Sequence, residues 1–145
     1  MTEPLEARVR QLLTGVIDPH IGKDIVSSGD LVARFEATLS DVQIRSHYEA
    51  RDKVDAITAA AFKEIGRRVR SGGTNEHDIQ NWFMEQFARE GLVTDDPPIV
   101  AVNANSGNPH YGPDAHHSAP IKEGDWVLLD VWAKLDRPDA CYYDI

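Results

Sequence analysis

The sequence predicts an α+β fold in which two main helices pack on one face of a small, mainly antiparallel sheet. Three observations carry that expectation. Apolar residues recur at helical spacing from Ser40 to a Gly72-Gly73 stop, a second helical pattern ends at Gly91, and the chain beyond it consists of Val-, Ile-, Trp- and Tyr-rich runs. The connections between those runs read as loops, which favours antiparallel pairing.

Residues 1–39 read as a linker or the remnant of a preceding domain, with a short helix at Leu5–Leu13, a turn at Asp18-Pro19, a strand at Asp24–Ser27 and a short helix at Leu31–Ala37. Residues 40–145 form the main unit. Ser40-Asp41-Val42-Gln43 has the capping-box pattern, so the first long helix is expected to begin there and run to Arg70. Its stripe is read as Ile44, Tyr48, Val54, Ile57, Ala61, Ile65 and Val69, and Arg67, Arg68 and Arg70 suit the negative end of the helix dipole. Thr74 is expected to open the second helix, with Ile79, Trp82, Phe83, Met84 and Phe87 inward and Gly91 as its C-terminal cap. Strands are expected at Pro98–Val102, Trp126–Trp132 and from Cys141 onward. Between the first two lies Asn103–Pro120, a loop long enough to suggest function.

Composition bounds the function. A formal charge of -9 over 145 residues argues against a nucleic-acid binder, whose affinity rests on Lys and Arg contacts with phosphate. A single cysteine, Cys141, cannot form an internal disulfide and points to a reducing compartment. The N-terminus lacks the pattern of a signal peptide and no apolar run approaches a membrane span, so the expected setting is cytoplasmic and away from membranes.

The chemistry-bearing residues lie in the last third. Trp126-Val127-Leu128-Leu129-Asp130 is an apolar run closed by an acid, and a carboxylate finishing a core strand is costly unless something neutralises it. Asp144, in Cys141-Tyr142-Tyr143-Asp144-Ile145, follows after a turn at Asp136-Arg137-Pro138-Asp139, which suggests an antiparallel hairpin. If the register sets Asp130 and Asp144 opposite each other, a divalent cation between them would relieve their repulsion. Taken alone, the pair also fits a strand-end cap and a solvated acid. Upstream stand Asn103-Ala104-Asn105-Ser106-Gly107-Asn108-Pro109-His110-Tyr111 and Ile121-Lys122-Glu123-Gly124-Asp125.

In that order these segments resemble the pita-bread metallopeptidases, the group of aminopeptidase P, Xaa-Pro dipeptidase, methionine aminopeptidase and the non-peptidase creatinase. The resemblance covers roughly Ser40 to Ile145 and implies the N-terminal half of a pita-bread catalytic domain. It implies that Asp130 chelates one ion of a dinuclear centre of Mn, Co or Zn, that Asp144 bridges both, and that His110 hydrogen-bonds the substrate from outside the metal shell. The Asn-Pro-His-Tyr wording and the upstream extension favour an aminopeptidase P or dipeptidase relative, although the turn after Leu135 is a few residues longer than the common pattern.

By residue type alone His110 reads as a loop histidine bonded to backbone, and only the resemblance gives it the functional role. His116 and His117, adjacent on an extended chain, point in different directions and are read as loop residues, and His20, His47 and His77 as surface or capping histidines. The resemblance takes the remaining His and two Glu ligands from a second half of the domain, so this chain by itself is expected to bind metal weakly and to turn over little. The leading function is a metal-dependent hydrolase acting on a peptide substrate, a homo-oligomer in its full-length form. Two alternatives are a non-catalytic truncated relative serving as a binding or dimerisation module through its sheet edge, and a creatinase-like hydrolase.

Overall fold

A computed structural model describes residues 37–145 together with Thr14, Val16, Ile17 and Gly22. The elements expected within residues 5–36, and His20, lie outside the described residues. The chain divides into two units, Met1–Ser40 and Asp41–Ile145, and the second carries the two main helices and the antiparallel strands.

Helix α1 spans Asp41–Ser71 and α2 spans Glu76–Glu90. The strands are β1 Thr74–Asn75, β2 Leu92–Val93, β3 Ile99–Val102, β4 Pro120–Ile121, β5 Val127–Asp130, β6 Trp132–Leu135 and β7 Tyr143–Asp144, with a 3₁₀ turn at Asn103–Gly107 after β3. Every pairing is antiparallel: β1 with β4, β3 with β5, and β6 between β2 and β7. The helices cover one face, α1 packing on β6 and β7 and α2 on β2 and β3.

The buried stripe of α1 is Ser46, Ala50, Val54, Ile57, Ala61 and Ile65. The expected stripe is thereby corrected over its first two turns, because Ile44 and Tyr48 are exposed. Steps of three and four residues back from Val54 lead to Ala50 and Ser46, whereas Tyr48, six residues back, falls on the other side of the helix. Ser46 suits that inner position because its Oγ donates to Gln43 O (2.7 Å) and accepts from the Cys141 N–H (3.0 Å).

Helix α1 ends where expected. Gly72 and Gly73 take φ of 149° and 100°, and the Gly73 N–H closes the last turn on Arg68 O at 2.9 Å. The start of α2 is corrected by two residues. Thr74 pairs with Ile121 in β1, and the cap is Asn75, whose Oδ1 accepts from the Asp78 N–H at 2.8 Å. Gly91 closes α2 at φ 67° with its N–H on Phe87 O, as expected of a left-handed cap.

The core joins Val54, Ala61 and Ile65 of α1 to Ile79, Phe83 and Phe87 of α2 and to Val100, Val102, Val131, Ala133 and Leu135 of the strands. Phe83 and Phe87 sit at the centre, their rings 6.1 Å apart. Along residues 127–135 the odd-numbered side chains face this core. The even-numbered Leu128, Asp130, Trp132 and Lys134 therefore face away from the helices.

Candidate functional site

The two acids do not stand opposite each other. Asp130 closes β5 and pairs with Ile99 of β3, while Asp144 of β7 pairs with Trp132 of β6. Val131 exchanges both main-chain hydrogen bonds with Ile145 (3.0 and 2.9 Å), so the β6–β7 register continues through it. Asp130 is thus diagonal to Asp144 on the same open face, where such neighbours are roughly 7–8 Å apart. The turn after Leu135 is held by the Asp136 N–H on Gly91 O (3.0 Å) and by Arg137 on Glu49 (3.2 Å).

Among the described residues neither carboxylate is engaged by an ion pair or a side-chain hydrogen bond. Two unneutralised carboxylates on one face fit a hard divalent cation in part. No cluster of three or more His, Cys, Asp or Glu able to hold a metal exists among the described residues.

His110 lies on an open cleft of about 490 Å³ whose wall includes Ile99, Pro109, Tyr111, Pro113 and Trp132, with Asp96 and Gln80. Its backbone N–H donates to Asn108 Oδ1 at 3.0 Å, and its residue is exposed. Ile99 is the strand partner of Asp130 and Trp132 is the strand partner of Asp144. The cleft that holds His110 is therefore bordered by the partners of both acids.

The loop carrying His110 is built around a residue that sequence reasoning did not single out. Glu76, the first residue of α2, is fully buried. Its Oε1 accepts from the Val102 N–H (2.7 Å) and from Asn105 Nδ2 (2.9 Å), and its Oε2 accepts from the Tyr111 hydroxyl (2.5 Å) and the Ala119 N–H (2.6 Å). Burial, and then the bond to Glu76, push the Tyr111 phenol up to about 12. An acid in the first turn of a helix is ordinarily a solvated partner of the dipole, so nothing in the local sequence marks this one as a hub.

The Lys122-Glu123-Gly124-Asp125 segment clasps the other end of the loop. Gly124 takes φ 89°, and Asp125 accepts from Asn103 Nδ2 (2.8 Å) and from the Lys122 N–H (2.7 Å), bonds that lower its carboxyl pKa. Asn103 exchanges main-chain and side-chain bonds with Trp126 (2.9 and 3.0 Å) while itself at φ 51°, a conformation Asn tolerates.

The remaining histidines divide. His116 and His117 are exposed, and their N–H groups, with the His117 ring, bond to Asp114, drawing that carboxyl down to about 2. The His77 N–H donates to Ser118 Oγ at 2.9 Å. His47 is half-buried rather than a surface residue: its Nδ1 meets Tyr142 O at 2.7 Å and its ring meets the Tyr143 ring edge-on, because α1 lies against β7 there. Cys141, expected within a strand, precedes β7. No described helix is long and apolar enough to cross a membrane.

Two helices on one face of antiparallel strands make an α+β scaffold consistent with part of a pita-bread domain. The family model described as Metallopeptidase family M24 matches residues 49–143, about two thirds of the chain, and the chain belongs to that family. No curated protein matches it.

Proposed function

We propose that this chain carries the acidic strands and the histidine of an aminopeptidase site of the aminopeptidase P or Xaa-Pro dipeptidase type, which removes the N-terminal residue from peptides. The observation that supports this reading is the cleft, where His110 meets Ile99 and Trp132, the strand partners of Asp130 and Asp144. Membership of a metallopeptidase family supplies the reaction class.

In this reading Asp130 and Asp144 would hold the divalent ions. Bound ions of Mn, Co or Zn supply Lewis-acid stabilisation and a water of lowered pKa. His110 donates an imidazole N–H to the substrate carbonyl oxygen, where negative charge grows as the peptide bond is attacked. Pro109, Pro113, Ile99 and Trp132 give the open cleft an apolar lining that suits a proline ring.

Calorimetric titration of the chain with Mn²⁺ tests the ligand assignment. Weak binding is expected, abolished by Asp130→Asn or Asp144→Asn and kept by His110→Ala. Unchanged binding in both Asp variants would overturn it. Release of N-terminal residues from Xaa-Pro peptides by the chain alone is expected to be slow or absent, since two carboxylates leave a metal poorly fixed.

A further inference from the structure

Glu76 is the buried ionisable group for which the proposed reaction has no use. We propose that it is a positioning residue: from the N-terminus of α2 its carboxylate sets the loop that presents His110, acting through Tyr111. This rests on the reading of His110 as the substrate-facing imidazole.

The geometry supports a framing role over a simple packing role. The four donors to Glu76 come from three points along one segment: Val102 and Asn105 at the start of the loop, Tyr111 in its middle and Ala119 at its end. The Glu76 N–H adds a fifth link, donating to Ala119 O at 3.1 Å. Asn105 Nδ2 also reaches the Tyr111 hydroxyl at 3.0 Å, so the loop's start and middle are tied to each other as well as to the acid. Tyr111 is the residue after His110, and its N–H returns to Asn108 O at 3.1 Å. The ring that lines the cleft beside His110 is thereby anchored at its hydroxyl to a side chain that does not move with the loop.

None of these partners is a cation. The charge is met by four donors that together fill both oxygens of the carboxylate, and by the positive end of α2. Burying an acid in this way is costly unless every acceptor site is satisfied, and an apolar side chain would fill the same space without that requirement. What the acid adds is direction: it accepts only if Val102, Asn105, Tyr111 and Ala119 all arrive at set points, which fixes the loop at its start, at the residue after His110 and at its end. Preorganisation of this kind is what a transition-state donor requires, since a loosely held imidazole would lose its advantage in reorganising.

The test uses the full chain and does not depend on turnover. NMR reads amide protection and backbone order over residues 103–120, with the His110 ring resonances, in wild type, Glu76→Gln and Tyr111→Phe. Glu76→Gln keeps the size and sets an NH₂ against at least one of the donors. Tyr111→Phe removes only the hydroxyl, with its bonds to Glu76 and Asn105, and serves as the deciding variant if Glu76→Gln does not fold. Both are expected to lose protection and order in the loop and to shift the His110 ring signals toward those of a free histidine, while α1 and the α2 turns beyond the first keep theirs. A loop and ring as ordered as wild type in the variants would overturn the proposal. So would a loss spread evenly through α1, α2 and the strands, the mark of a purely structural role. In a parallel arm, Ala-Pro added to wild type should move the His110 ring signals. If it does not while the variants still loosen the loop, the peptidase reading fails and the positioning of His110 by Glu76 stands.

Discussion

Trp132 and Asp144 face each other across the β6–β7 ladder, which sets Asp130 diagonal to Asp144 on the open face of the sheet. The two carboxylates therefore share that face without meeting at one ladder position.

If a full-length form supplies the further ligands, the assignment of ligand and donor roles is tested there with metal bound. Asp144→Asn is expected to lose stoichiometric metal and activity together. His110→Ala should keep the metal and lower kcat by about 10²–10³, the usual loss for one oxyanion-type donor. Metal content and kcat measured side by side decide it, and metal loss in His110→Ala would reverse the roles.

At alkaline pH the Tyr111–Glu76 bond should fail in a defined window. The Tyr111 phenol is raised in the fold to about 12 from an ordinary value of 10.0, so its contribution to stability is complete below pH 10 and lost as pH rises toward 12. Tyrosinate absorbance should show a late step that is smaller in Tyr111→Phe, since the Tyr142 and Tyr143 phenols are also raised by burial and remain. The variant's stability should also fall less between those two limits.

The acid limb has the opposite sign. Two Arg side chains hold Glu64 at about 2, Arg67 first and then Arg68, and the His116 and His117 N–H groups hold Asp114 at about 2. Both values lie below those of the unfolded chain, so the stabilisation is present above about pH 4.5 and lost as pH falls toward 2. Denaturant midpoints followed down in pH should fall less steeply in Glu64→Gln and Asp114→Asn than in wild type.

Both ends of α2 give a stability test separate from the chemistry. Asn75→Ala removes the acceptor for the Asp78 N–H and for Ser118 Oγ, and should cost about 1–2 kcal/mol. Gly91→Ala places a Cβ in open space at φ 67°, so its cost of about 1–2 kcal/mol is backbone strain alone. Urea unfolding measures both, and a neutral Gly91→Ala would show that the cap relaxes.

Much of the scaffold is legible because its signals are local. Helix α1 can be bounded by Ser40 and by Gly72-Gly73, and α2 by Gly91 after Phe87, since capping depends on a few adjacent residues. The inner face of α1 near its start is misread for the same reason. Ile44 and Tyr48 are apolar, and only the continuation of the stripe through Ala50 to Ser46 shows which side meets the strands.

The last strands mark where sequence stops deciding. Apolar runs, an evident turn and two acids suggest a hairpin, but whether Asp130 meets Asp144 or Ile99 depends on a register set by Val131 with Ile145 and by the turn docking on Gly91. Glu76 is the sharper case. Its four partners lie 26 to 43 residues away in sequence, and the acid looks like any helix-opening carboxylate until the loop is folded over it. Residue types determined that this chain has strand acids, a histidine loop and two capped helices. Long-range hydrogen bonding and register alone decided which residues those acids and that loop are set against, because those depend on parts of the chain that no local pattern connects.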